Sequence, residues 1–240
     1  MNDEAKIQVA LATHNEFVVE QRLTPVMTVL VGSQNYDLAT EKSDYDTFTF
    51  VLPPFQDIAQ LRNPISTTWS DSLGHINVKD IRLALNLLLK TTPNSVECFA
   101  TKYKMYNKRY AYLSSLPSCI LRCDTKHMMD AIGGMTHQLK KRNMSPGKRL
   151  SHVLRMHCMV YNYFHPDTNI LSLTKEEHDL ALKAKMDPDN EKWNNLIDEY
   201  ERIVQEEIKC VDVHYFDKEA VFGRSIINGL QGMFTYDAVR

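Results

Sequence analysis

No apolar run in this chain approaches the ~18 residues that a membrane-spanning helix needs, so neither a helical membrane protein nor a membrane partner is expected. Cysteine is scarce. There are five, odd in number and unclustered, which argues against a disulfide framework and for a reducing compartment. Neither sign of charge dominates: 28 Lys and Arg stand against 30 Asp and Glu, a formal balance of −2. No global field therefore draws the chain to nucleic acid, although a local basic strip is still allowed. Internal repeats and low-complexity tracts are absent. The opening Met-Asn-Asp-Glu-Ala-Lys has none of the features of a secretory signal, and the chain is read as cytoplasmic. What is present in ordinary measure, 43% hydrophobic and 24% charged residues over 240 positions, suffices for one large globular domain or two small ones.

The most informative stretch runs from Val29 to Val51. Val26 to Val31 is a continuous apolar run rich in β-branched residues and reads as a buried strand ending at Gly32-Ser33. A polar loop follows, and Asp44 and Asp46 then open a second strand that Pro53-Pro54 stops. Side chains two apart on a strand point the same way, which sets the two carboxylates together and Tyr45 and Thr47 opposite. Such a pair repels unless a cation lies between, and the oxygen donors suit Mg2+. Gly32-Ser33 offers backbone N–H groups and a hydroxyl, which suit a phosphate. Together these features read as a nucleotidyl-transfer site. The plainer reading, a β-turn with a solvated acidic loop end, does not account for apolar strands on both sides.

Gly32, Ser33, Tyr36, Leu38, Ser43, Asp44 and Asp46 fit the frame Gly-Ser-x-x-Tyr-x-Leu-x-x-x-x-Ser-Asp-x-Asp. On these residues the chain resembles the DNA polymerase β superfamily of nucleotidyltransferases, in the branch of predicted nucleotidyltransferases of bacteria and phages. Asp80-Ile-Arg82, the segment Thr92 to Glu97, the segment Lys148 to Arg155 and the charged helix from Thr174 to Ile208 are similar to that branch as well, so the resemblance spans roughly residues 25 to 209. It implies transfer of a nucleoside monophosphate from a Mg-bound nucleoside triphosphate such as ATP to an acceptor hydroxyl, with release of pyrophosphate. Asp44 and Asp46 would hold Mg2+, or Mn2+ in its place, and Gly32 and Ser33 the outer phosphates. Lys148, His152 and Arg155 lie at i, i+4 and i+7 on one helical face, and the resemblance assigns that face to the triphosphate. A solvated charge run is the bland alternative, and Lys140, Lys141 and Arg142 form a further basic cluster just before it.

The sequence departs from the family at the third carboxylate, whose position falls at His75, with Asn77 on the same strand face. Three readings stay open. His75 ligates a softer metal such as manganese or acts as a base; Asp71 or Asp80 substitutes; or the transfer step is lost. The second reading of function is accordingly a catalytically reduced nucleotide-binding sensor or interaction protein of the same fold, and the third a helical protein-binding module. The acceptor (RNA, protein or small molecule) is not identified by the sequence. Glu97 reads more simply as a helix-starting acid than as a site carboxylate. Cys119, Cys123 and His127 at spacing four, and His157-Cys158, read more simply as packing than as metal ligands.

The organisation expected is α+β: a small mixed-sheet nucleotidyltransferase domain over residues 1–108, then a mainly helical domain over 109–240. An N-terminal helix covers 3–20, strands 26–31, 47–52 and 74–79, and helices 81–90 and 95–102; residues 55–72 form an irregular connection. Helical stretches 124–142, 147–164, 174–186 and 190–210 follow, with breaks at Gly133-Gly134, Ser145-Pro146-Gly147, His165-Pro166-Asp167 and Asp187-Pro188-Asp189. Val211 to Phe216 alternates, and a helix follows from about 218 to 230.

Overall fold

A computed structural model describes residues 3–41, 43–139, 141–165 and 167–239. Its described strands are β1 (Thr24–Leu30), β2 (Thr47–Leu52), β3 (Ser66–Ser70), β4 (His75–Asp80) and β5 (Lys104–Tyr106). The helices are α1 (Asp3–Glu20), α2 (Phe55–Ala59), α3 (Ile81–Leu89), α4 (Pro93–Ala100), α5 (Thr125–Leu139), α6 (Pro146–Tyr163), α7 (Lys175–Met186), α8 (Trp193–Cys210) and α9 (Asp217–Val239). The class is α+β. Contacts divide the chain into two compact units, one of Met1–Asn35, Glu41–Asp124 and Phe216–Arg240, the other of Tyr36–Thr40 and Thr125–Tyr215.

The first unit is built on a five-stranded mixed sheet in the order β3-β4-β2-β1-β5. β1 is buried at every position except Thr24, as expected of a strand paired on both edges and covered on both faces. It runs antiparallel to β2 with Leu30 opposite Thr47, and β2 runs parallel to β4 with Thr47 opposite Ile76. These registers bring the end of β1 to the start of β2 and of β4. The alternation along β2 then separates two layers. Val51 packs with Val18 of α1 and with Ile76 and Val78 of β4. Phe50 packs on the other side with Ile81, Leu85 and Leu88 of α3, Cys98 of α4, and Ile227 and Phe234 of α9. Burying one such side chain contributes roughly 1.5–3 kcal/mol, so α9 is integral to this unit.

Here the structure departs from the boundary expected at residue 108. The 3-10 turns at Lys108–Ser115 and Ser118–Arg122 put Tyr110, Leu113 and Ile120 into the sheet's core, and α9 returns to it from the end of the chain. β3 falls in the stretch read as irregular: it is a polar edge strand, Ser-Thr-Thr-Trp-Ser, paired only to β4. β5 has three residues, too few for a periodicity to show. Residues 211–216 contain no strand, and α9 runs well past residue 230.

In the second unit α6 packs against α5, α7 and α8. Its start needs glycine: a Cβ on Gly147 would lie 2.0 Å from the carbonyl oxygen of Ala184 in α7. The expected break at Gly133-Gly134 does not occur. Helix α5 continues through both glycines, and Gln205 of α8 donates from Nε2 to the Gly133 carbonyl at 3.1 Å. Thr174 and Glu177 form a capping box at the start of α7. Of the residues named from the sequence, Lys140 and Pro166 lie outside the described residues. Among those described, no helix is long and apolar enough to cross a membrane.

Candidate functional site

The Gly-Ser turn forms where β1 ends. Gly32 has φ +88°, a conformation that L side chains rarely adopt, and Ser33 opens the short 3-10 turn Ser33–Tyr36. The turn is held from below by α4. Glu97, 7% exposed, accepts from the Gly32 N–H through Oε1 at 2.7 Å and from Asn35 Nδ2 at 3.2 Å. Asn35 also donates to the Leu30 carbonyl and accepts from the Thr101 hydroxyl at 2.7 Å. Glu97 is thus neither a simple helix-starting acid nor an open site carboxylate. It is a positioning residue for the turn, joining groups 65 residues apart in sequence, a separation that local pattern cannot reveal.

Asp44 and Asp46 lie just before β2 rather than within it, and the ladder reaches Asp46 through its carbonyl, which accepts from the Val31 N–H at 2.9 Å. Asp44 is exposed and the side chain of Asp46 is 38% exposed. A Cβ built on Gly32 would stand 3.9 Å from Asp46 Oδ2, so turn and carboxylate adjoin. The register of β2 and β4 continues outward to place His75 beside Asp46. Asp46 Oδ1 accepts from the His75 backbone N–H at 3.0 Å and from Nδ1 at 2.9 Å. Since a carboxylate only accepts, Nδ1 donates in this pair, and Nε2 is the ring nitrogen that Asp46 does not engage.

The two acids that could have replaced a third carboxylate are committed elsewhere. Asp71 Oδ1 accepts from the N–H groups of Leu73 and Gly74 at 2.7 and 3.0 Å and lies 3.3 Å from His14 Nε2. Burial pushes its pKa up, but those N–H groups and His14 outweigh it and hold the carboxyl below its ordinary value. His14, fully buried on α1, reaches Thr47 through its other nitrogen at 2.9 Å, so this network braces the base of the site from behind the sheet. Asp80 is the N-cap of α3, is buried, and accepts from the N–H and guanidinium of Arg82. Among the described residues no group of three or more His, Cys, Asp or Glu side chains is arranged to hold a metal. Asp44 and Asp46 Oδ2 accept no hydrogen bond among the described residues, and as carboxylate oxygens their chemistry suits a hard dication.

No family model and no curated protein matches this chain. The reading of the site rests on its geometry.

Lys148, His152 and Arg155 lie on α6 in the second unit. The Arg155 guanidinium stands 4.2 Å from the centroid of the Tyr36 ring. Burial, and then the charges of Arg155, Lys148, Arg142 and Lys185, push the His152 pKa down to about 3. His152 is therefore neutral at physiological pH, and the basic triad expected from the sequence carries its charge on the lysine and the arginine. Lys185 donates to the Leu38 carbonyl and His178 Nε2 to that of Asp37 at 3.0 Å, which ties the segment after the Gly-Ser turn to α7.

His157, read from the sequence as core, instead joins two acids. It contacts Glu177 through Nδ1 and Glu207 through Nε2, the latter at 3.3 Å. Burial opposes the imidazolium, but Glu177 and Glu207 outweigh it and raise the His157 pKa; burial likewise opposes the Glu177 carboxylate, and His157 and Thr174 outweigh it and lower that pKa. A raised His contributes stability below its unfolded value near 6.5 and loses it as pH rises. A lowered Glu contributes above its unfolded value near 4.5 and loses it as pH falls. His157→Asn should therefore cost most between those values, roughly 1.5 kcal/mol, and progressively less at alkaline pH. Thermal unfolding of both proteins across pH checks this; a difference that does not vary with pH contradicts it. The thiols of Cys119 and Cys123 are pushed up by burial, Cys123 to about 11, which opposes the thiolate a metal would require.

Proposed function

We propose that this protein binds a Mg-nucleoside triphosphate at Gly32, Ser33, Asp44 and Asp46 and transfers the nucleoside monophosphate to an acceptor hydroxyl. The observation that carries the reading is the convergence of three strand ends: the Gly32 turn beside Asp46 Oδ2, and His75 on Asp46 Oδ1. Glu97 takes the Gly32 N–H, so the Ser33 hydroxyl and the amides beyond it are the groups left to the outer phosphates. Magnesium, when bound by Asp44 and Asp46, would supply charge neutralisation of the triphosphate. The chain's own part is to orient. The acceptor oxygen bonds to the α-phosphorus, the bond from that phosphorus to the bridging oxygen breaks, pyrophosphate leaves, and the hydroxyl proton passes to His75 Nε2. Lys148 and Arg155 offer a separate anion-binding face within their own unit.

A second reading, nucleotide binding with little or no turnover, is favoured by one specific observation: Asp71 and Asp80 are both committed to structure, and among the described residues no group of three or more His, Cys, Asp or Glu side chains forms around Asp46. Restoring an acid there separates the two. His75→Asp should keep Mg-ATP affinity and raise turnover several-fold if the position takes part in transfer. Turnover at background in both proteins, with Mg-ATP still bound, supports the second reading. Equal turnover by wild type and His75→Ala removes His75 from the mechanism.

A further inference from the structure

Four cations, Arg142, Lys148, Arg155 and Lys185, act together on His152 in the second unit. They gather where α6 begins. Its first turn contains Lys148 and Arg149 and no acid, although the N–H groups and dipole at a helix start favour negative charge. We propose that this end of the helical unit is a phosphate-binding site that works without a metal. The proposal does not depend on nucleotidyl transfer, and it adds a second phosphate site to the one proposed at Gly32 and Ser33.

The packing of α6 on α7 assembles the cluster. A Cβ on Gly147 would collide with the Ala184 carbonyl of α7, and the Gly147 N–H donates to the Pro188 carbonyl at 2.8 Å. The next residue in each helix, Lys148 and Lys185, is thereby brought to the same place. Spacing along α6 cannot reveal Lys185, which comes from the neighbouring helix. His152 and Arg155 continue the Lys148 face at i+4 and i+7. Two of the cations are held by the segment Tyr36–Thr40 of the same unit. The Arg155 guanidinium lies over the Tyr36 ring, 4.2 Å from its centroid, and the Lys185 ammonium donates to the Leu38 carbonyl.

These charges are close enough to work against one another. Burial lowers the Lys185 pKa, and Arg155 and Lys148 lower it further. The same two, with Arg142 and Lys185, keep His152 neutral. Like charges held together destabilise the fold until a ligand returns the opposite charge. A carboxylate returns a single negative charge and a phosphate monoester about two. Phosphate oxygens also match both kinds of donor present, the point charge of a lysine and the planar fork of an arginine. Neutral His152 still has one ring N–H to give.

Calorimetric titration of the full chain with pyrophosphate in EDTA tests the site, with thermal unfolding to check that each variant folds. Wild type should bind. Lys148→Gln and Lys185→Gln should each weaken binding roughly ten- to a hundredfold, the scale of one hydrogen bond between charged groups. Lys183→Gln, at an exposed lysine of α7, should stay within about twofold of wild type, as should Asp44→Asn/Asp46→Asn. No binding by wild type in EDTA overturns the site. Equal weakening by Lys183→Gln also overturns it, since that reports bulk charge, and so does loss in Asp44→Asn/Asp46→Asn. The phosphate has two candidate sources, which Mg-ATP separates once the site is established. A matching loss of Mg-ATP affinity in Lys148→Gln assigns it to the donor triphosphate, and an unchanged affinity to a phosphate carried by the acceptor. The proposed transfer fails separately: a protein that binds pyrophosphate in EDTA but not Mg-ATP keeps this site and loses that reading, and the converse result does the opposite.

Discussion

Asp46→Asn should lower nucleotidyl transfer by about 10²–10³-fold, the scale on which removing one electrostatic contact to a reacting phosphate acts. The substitution is isosteric. An amide oxygen at the Oδ1 position can still accept from the His75 backbone N–H, so the start of β2 and its contact with β4 are preserved. The side chain is 38% exposed, and the stability change should stay within about 0.5 kcal/mol. What is lost is the negative charge that, in the proposed site, would hold a dication with Asp44 against the triphosphate. Mg-ATP affinity should fall with turnover, and the two should be measured together with thermal unfolding. A variant that unfolds normally, binds Mg-ATP normally and turns over normally would take Asp46 out of the site.

Glu97→Ala should have the largest effect on the fold of the site. Oε1 of this buried acid is the acceptor for the Gly32 N–H and for Asn35 Nδ2, and Asn35 in turn ties Leu30 to Thr101. Removing the carboxylate strands the Gly32 N–H and opens a void beneath the turn, at a cost of about 2–4 kcal/mol. For a chain of this size that lowers the unfolding midpoint by roughly 5–15 °C. Loosening of the turn at Gly32-Ser33 should also weaken Mg-tripolyphosphate binding, which a purely structural acid elsewhere would not do. Glu97→Gln keeps an acceptor oxygen and should recover most of both losses. An unfolding midpoint unchanged in Glu97→Ala would show that the turn is held by something other than α4.

The parts of this site that were legible in the sequence are those with a local signature. The apolar run to Leu30, the Gly32-Ser33 turn, the alternation in β2 and the alternation in β4 each announce themselves within ten residues, and their pairing follows from burial. The position of His75 beside Asp46 follows from the register of β4 with β2. The bracing was not legible. His14 reaches Thr47 and Asp71 across 33 and 57 positions, and Glu97 reaches Gly32 across 65. Buried polar side chains look like any other His or Glu until the fold supplies their partners. β3 escaped notice because an edge strand can be polar on both faces, and α5 runs through Gly133-Gly134 because packing against α8 overrides weak intrinsic propensity. His152 shows the reverse: it lies on α6 as the helical spacing predicts, but burial and the neighbouring cations remove its charge.

The transfer proposed for this chain is decided by where the α-phosphorus of a nucleoside triphosphate goes. The most direct test incubates the protein with each nucleoside triphosphate carrying label at the α-phosphorus, in Mg2+ or Mn2+, with complete and protein-depleted cell extract, beside the Asp44→Asn/Asp46→Asn variant. The account predicts label on RNA, on protein or on a small molecule in the wild-type reaction and none in the variant. Label that persists in the variant, or no label anywhere from a protein that binds Mg-ATP, would contradict it.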